Sequence, residues 1–177
     1  GKNQLSLAKY LFICAKEDNP DLDIHDVNAF MQHILQRIDL TRDLHFQTKT
    51  TIDTLDYSGT DLNSGSKVAF TVAGEVKRTL ATEIPSDLNL PDIFTDVKMV
   101  MPGVLAVKAP KYTFSQDTEI QIALLNENLK ARDLSSLPLM ILCDDAEFTA
   151  ATSNNFVWVT FTRSNPSHDI YGINSFI

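Results

Sequence analysis

Residues 137–170 read as strand, acidic turn, helix, arginine, turn and strand, and the segment from Ala8 to Phe46 reads as a worn copy of the same pattern. Arg37 and Arg163 lie 126 positions apart, as do Asp43 and Asp169, whereas Cys14 and Cys143, each at the end of an apolar run, lie 129 apart. The first copy therefore holds about three extra residues in the loop after its strand. A period this long is too large for a solenoid repeat and predicts one duplicated α/β half. Strands alternating with helices predict a three-layer α/β/α sandwich with a mainly parallel sheet, built from duplicated strand-helix-strand units. The expected organisation is a single domain over 1–177, its halves at about 9–74 and 97–177. A chain of 177 residues is long enough to bury a core of its own.

The local signals support that outline. Tyr10–Ala15 is a continuous apolar run of strand length, as expected of a strand covered on both faces. Val27, Phe30, Met31, Ile34, Leu35 and Ile38 follow helical spacing, with Asp23 as the expected cap and Asp26 in the first turn. Short strands are expected at 44–48 and 68–73, followed by a surface connector over 75–96 that holds Pro85 and Pro91. Residues 98–108 read as extended and apolar, interrupted by Pro102-Gly103. A helix is expected over 115–132, capped by Ser115 or Asp117, with Ile120, Ala123, Leu124 and Leu125 inside. The second copy should supply a strand at 139–143, a helix over about 149–163 and a strand at 169–173. Residues 1–8 read as the end of a helix, and the last four residues carry no stop signal, so a piece of a longer protein is expected.

The net charge of −8 argues against a nucleic-acid or anionic-membrane surface, which needs clustered Lys and Arg. No apolar run approaches the roughly 18 residues that would span a membrane. The two cysteines read as buried thiols of a reducing, cytoplasmic setting; a disulfide between them would require neighbouring strand ends.

Candidate chemistry is sparse. Asp144-Asp145 sits where a parallel strand should end, a place where open α/β sheets bind ligands, but a carboxylate there also caps a helix. Asp21, Asp23, His25 and Asp26 mix oxygen and nitrogen donors that suit a divalent ion, and they equally suit a helix N-terminus. Gly59–Lys67 resembles a phosphate loop only at a glance, since its spacing is one residue too long and Lys67 follows Ser66. No nucleophile elbow accompanies the serines. His33 and His45 read as structural, Trp158 as core, and Arg37 and Arg163 as partners of Asp43 and Asp169 in local ion pairs. Composition and spacing alone offer no self-contained active site.

Three ordered segments resemble one family. Asp144-Asp145, then Asn154–Trp158, then Thr162-Arg163 through Pro166 to Asp169 resemble the C-terminal signature of the UbiD family, the 3-polyprenyl-4-hydroxybenzoate carboxy-lyases and related prenylated-flavin decarboxylases. Arg37, Asp39, Arg42 and Asp43 match it in the first copy, with Gln32 where the family has Trp, and His168 replaces an Arg in the second. Thr51-Ile52-Asp53-Thr54-Leu55-Asp56-Tyr57 and Gly65-Ser66-Lys67-Val68 are similar to the family's P-I-D-x-L-D-F and G-S-K-M. The resemblance implies the C-terminal domain of a non-oxidative, prenylated-FMN-dependent decarboxylase of an aromatic or unsaturated acid, such as a 4-hydroxybenzoate derivative. It implies that this domain covers the flavin and substrate site, packs on an N-terminal flavin-binding domain and supports a homo-oligomer. The flavin, a divalent metal and the catalytic residues would belong to the flavin domain, leaving this part inactive alone and without a cofactor. By motif position, Thr51, Ile52 and Asp53 would line the substrate side. The alternative is an oligomerisation and hinge module with no direct substrate contact.

Overall fold

The computed structural model describes residues 7–175 and divides the chain into two compact units. The expectation of a helix end at residues 1–8 falls largely outside the described residues, as do the last two residues of the tail. The first unit comprises Gly1–Arg78 with Val157–Ile170, the second Thr79–Phe156 with Tyr171–Ile177. Their secondary structure is α/β, but it forms two mixed three-stranded sheets in place of one mainly parallel sheet.

In the first unit, β1 (Tyr10–Cys14) pairs in parallel with β3 (Ser64–Val72), which pairs antiparallel with β2 (Leu44–Thr51). The order β1-β3-β2 follows from the connections: α1 (Val27–Arg37) lies between β1 and the other two strands, whereas β2 and β3 are joined by a helix-free loop that turns the chain back. The apolar stripe of α1 lands as its spacing predicts. Ile34 and Ile38 are fully buried with Val72, and Phe12, Cys14, Phe30, Leu44 and Phe70 pack around them. The cap is Asp26, whose Oδ1 accepts from the Ala29 N–H at 3.0 Å; Asp23 instead holds the His25 N–H in the preceding turn. Strand alternation sends Leu11 and Ile13 to the other face, where they are 36% and 46% exposed, so β1 is covered on one face only.

In the second unit, β4 (Thr95–Met101) and β5 (Val104–Lys108) form a hairpin, and β6 (Leu139–Cys143) lies parallel to β5. Residues 98–108 are thus two strands folded at Pro102-Gly103. Pro fixes the first corner, and Gly103, at φ +80°, supplies the second. Between β5 and β6 runs α2 (Ser115–Leu129). Its buried stripe is Ile122, Leu125 and Leu129, while the expected Ile120 and Leu124 are 63% and 46% exposed. Neither Ser115 nor Asp117 caps it: Phe114 occupies the cap position and Asp117 accepts from the Thr113 hydroxyl. Leu105 and Val107 pack with Leu125, Leu129, Phe94 and Leu137 in a core where each large side chain contributes about 1.5–3 kcal/mol of burial. Val104 and Ala106 face the opposite way and are equally buried, and α3 (Ala146–Ala151) packs against all three strands.

The expected helix over 149–163 is broken in two. Thr152 is extended (φ −149°, ψ 155°), and its hydroxyl accepts the Asn155 N–H at the start of α4 (Ser153–Thr162). The strand expected at 169–173 is absent, because Pro166 opens a short helix, α5 (Pro166–Asp169). The division between the units falls within α4, after Phe156.

Candidate functional site

The segment between β2 and β3 gathers the first unit's polar machinery. Ile52 is 1% exposed and plugs the loop between two glycines. A Cβ on Gly59 would run into the Ser64 carbonyl and stand 2.6 Å from Ile52, so this position must lack a side chain, and one on Gly65 would stand 2.8 Å from Ile52, which would have to shift. Asp53 Oδ1 accepts the Leu55 N–H at 2.8 Å, and Asp56 Oδ1 accepts the Ser58 N–H and hydroxyl at 3.0 and 2.6 Å. These are two successive Asx turns. The other oxygen of Asp56 pairs with Lys9 Nζ at 2.8 Å, their side chains 16% and 8% exposed.

Lys9 is the hub of this arrangement. Its ammonium donates to the Ser58 hydroxyl at 2.7 Å and to the Thr162 and Ser164 carbonyls at 3.2 and 2.8 Å. Beside it the Tyr10 hydroxyl bonds the Ser164 hydroxyl at 2.5 Å. Fully buried Ser66 donates to the Asn165 side chain and accepts the Ser167 N–H at 2.8 Å. The loop is thereby clamped to the start of β1 and to α5. Burial by itself would raise the Asp56 carboxyl, but the bonds from Lys9 and Ser58 outweigh it and hold the group below the ordinary carboxylate range. Burial pushes the Tyr10 phenol up, against the opposing bond from Ser164.

Of the residues expected to line a substrate, Thr51 ends β2 on the surface, Ile52 is buried beneath the loop and Asp53 is half-buried at its first turn. Gly59–Lys67 leads from loop into strand rather than into a helix, the wrong context for a phosphate cradle. Asp145 caps α3 through the Phe148 N–H at 2.9 Å. Among the described residues no three His, Cys, Asp or Glu side chains are grouped to hold a metal ion. His45 bonds the Thr71 hydroxyl at 2.8 Å on the surface, and His33 is buried. Burial, then neighbouring Arg37, pulls the His33 pKa down. Both cysteines are free thiols, half-buried.

Two further expectations are corrected. Trp158 is 47% exposed rather than core, with the Arg163 guanidinium 4.1 Å from its ring centre, a cation–π contact. Arg37 donates to the Gly74 and His33 carbonyls instead of to Asp43, whose carboxylate takes Arg42 at 2.7 Å and the Asp39 N–H at 2.8 Å. Asp169 closes the matching turn in the same way, accepting the Asn165 N–H at 2.5 Å. Lys9, Ser164 and Asn165 were not visible as site residues in the sequence. Lys9 meets Ser164 across 155 positions and Ser66 meets Asn165 across 99, and no local spacing encodes such pairings.

Comparison with known proteins agrees with the motif reading in the first 72 residues. Residues 1–72, which hold Lys9, Ile52, Asp56 and Ser66, match the model of the 3-octaprenyl-4-hydroxybenzoate carboxy-lyase C-terminal domain. An uncharacterized protein of Chlamydia caviae is 35% identical over 97% of this chain, and one of Chlamydia trachomatis is 31% identical over the same share. A Chlamydia pneumoniae protein named as a subunit of 4-hydroxybenzoate decarboxylase is 30% identical over 99% of the chain. The chain spans about a quarter (27%) of the length of each of these relatives. Residues 1–72 thus match the C-terminal domain of the UbiD family, and the chain along nearly its whole length is similar to a protein named as a decarboxylase subunit.

Proposed function

We propose that these residues form the C-terminal part of a prenylated-FMN-dependent carboxy-lyase that decarboxylates, non-oxidatively and in the cytoplasm, an aromatic or unsaturated acid of the 4-hydroxybenzoate type. The observation that carries this reading is the braced Thr51–Ser66 loop, in which Ile52, Asp53, Asp56 and Gly65 of the family-like motif each hold the loop in shape. Support also comes from the name of the Chlamydia pneumoniae relative, which specifies a 4-hydroxybenzoate decarboxylase. In this reading Thr51 and Asp53 face the substrate side, while Ile52 fixes the backbone that presents them.

The described residues do not fit the flavin or its metal. A metal needs grouped donors and a flavin phosphate needs converging cations or N–H groups, and the nearest candidates are already engaged: Lys9 by Asp56, Asp145 by its helix. We therefore assign the cofactor to the remainder of the polypeptide and derive no chemical step from this part. Its contribution is to cover the site and to exclude water from it.

A second reading, an oligomerisation and hinge module without substrate contact, is favoured by the open face of the first sheet, where Leu11 and Ile13 are exposed. One experiment separates the two. Full-length protein and a form lacking these 177 residues are loaded with prenylated FMN, and carbon dioxide release and assembly size are followed. Loss of turnover with flavin still bound supports the covering role. Surviving turnover with a smaller assembly overturns it in favour of the module.

A further inference from the structure

We infer that the Thr51–Ser66 loop is a docking knob whose occupant is the part of the parent polypeptide outside these 177 residues. The inference rests on the reading of this chain as one part of a longer protein, not on any particular chemistry. Leu55, Tyr57 and Leu62 are 79%, 89% and 76% exposed, the three most exposed large hydrophobic side chains among the described residues. Isolated exposed leucines are ordinary, but three on one short loop are a liability for a free surface.

The loop that carries them is held rigid. Asp53 fixes Leu55 through its N–H, and Asp56 and Ser58 bracket Tyr57. Leu62 follows Asp61, whose Oδ1 accepts the Leu62 N–H at 2.7 Å, and the Thr60 N–H closes onto the Ser64 carbonyl at 2.8 Å. Beneath them lie the Ile52 plug and the little-exposed Lys9–Asp56 pair. A loop whose tip only met water would have no use for such bracing. Ordering apolar side chains before contact removes the entropy cost that otherwise weakens an interface, and tyrosine is among the residues that most often anchor an interface centre.

The occupant follows from length. Each relative is nearly four times as long as the matched stretch, so most of the polypeptide lies outside it. A partner on the same chain is present at an effective concentration in the millimolar range, enough for a small apolar knob to dock without the area that separate proteins need. The knob's flanking charges are Asp53 and Asp61, so the receiving surface should be apolar and neutral or basic at its rim.

The test uses the full-length protein with p-benzoylphenylalanine in place of Tyr57, irradiated, digested and sequenced by mass spectrometry, with isotopically mixed copies to separate intrachain from interchain links. The expected result is one dominant intrachain crosslink to a peptide outside the 177 residues. Because residue 57 is 89% exposed, the replacement leaves folding intact. In parallel, Leu62→Cys should react with a maleimide at least tenfold more slowly than Tyr112→Cys, whose position in the second unit is 67% exposed. Crosslinks between copies, crosslinks confined to these 177 residues, or equal labelling rates at positions 62 and 112 would each overturn the inference.

Discussion

Lys9 and Asp56 form the least exposed ion pair among the described residues, and the consequences of removing either half differ from those at the surface. A buried ammonium left alone keeps its desolvation cost without its Coulombic partner. Asp56→Asn should therefore destabilise the chain by about 3 kcal/mol, read from the urea midpoint at constant m value. The pH dependence has a defined sign. Asp56 and Asp43 both titrate below the ordinary carboxylate range, Asp56 through Lys9 and Ser58 against burial, Asp43 chiefly through Arg42. Their contribution is present above the pH where unfolded carboxylates titrate and is lost as pH falls through the depressed folded values. The melting temperature should hold between about pH 7 and 5 and fall below about pH 4, with a shallower fall in Asp56→Asn. Ile52→Ala, at a side chain that two glycines were cleared to admit, should cost about 3 kcal/mol in thermal unfolding.

At the scale of elements, the two turns closed by Asp43 and Asp169 carry the same construction 126 positions apart. In each, the carboxylate takes the backbone N–H four residues earlier while its own N–H bonds that residue's carbonyl, at 2.8 Å for Asp43 and 2.9 Å for Asp169. Both turns lie in the first unit. Asp43→Ala and Asp169→Ala should each lower stability by about 1 kcal/mol, whereas Arg37→Ala, which touches neither turn, should leave proton exchange at Asp39 N–H unchanged. The sequence made the stripe of α1 legible because Asn28, Gln32, Gln36 and Arg37 leave one unambiguous apolar face. It misplaced the stripe of α2 because Ile120 and Leu124 have the same helical spacing as Ile122, Leu125 and Leu129, so periodicity leaves the phase open. It showed the break at Pro102-Gly103 but not that the chain folds back there into a hairpin, because both arms are apolar and extended alike. Adding a side chain there, Gly103→Ala, meets Leu80 at 2.7 Å and a positive φ, and should destabilise by more than about 1 kcal/mol.

For the molecule as a whole, protection from hydrogen exchange should peak in β5, where Val104–Val107 are fully buried, and fall in the surface connector before β4. The candidate site was legible only as a motif: the order Ile52-Asp53, Leu55-Asp56, Gly65-Ser66 was readable, while the lysine, serine and asparagine that hold it come from distant positions. The decarboxylase activity proposed for the parent protein is directly measurable. The decisive measurement is mass-spectrometric detection of carbon dioxide released from carboxyl-labelled 4-hydroxybenzoate-type acids by intact full-length protein loaded with prenylated FMN. The account predicts labelled carbon dioxide in proportion to the decarboxylated product, with no oxidant consumed. Flavin-loaded protein that releases none from any aromatic or unsaturated acid would contradict it.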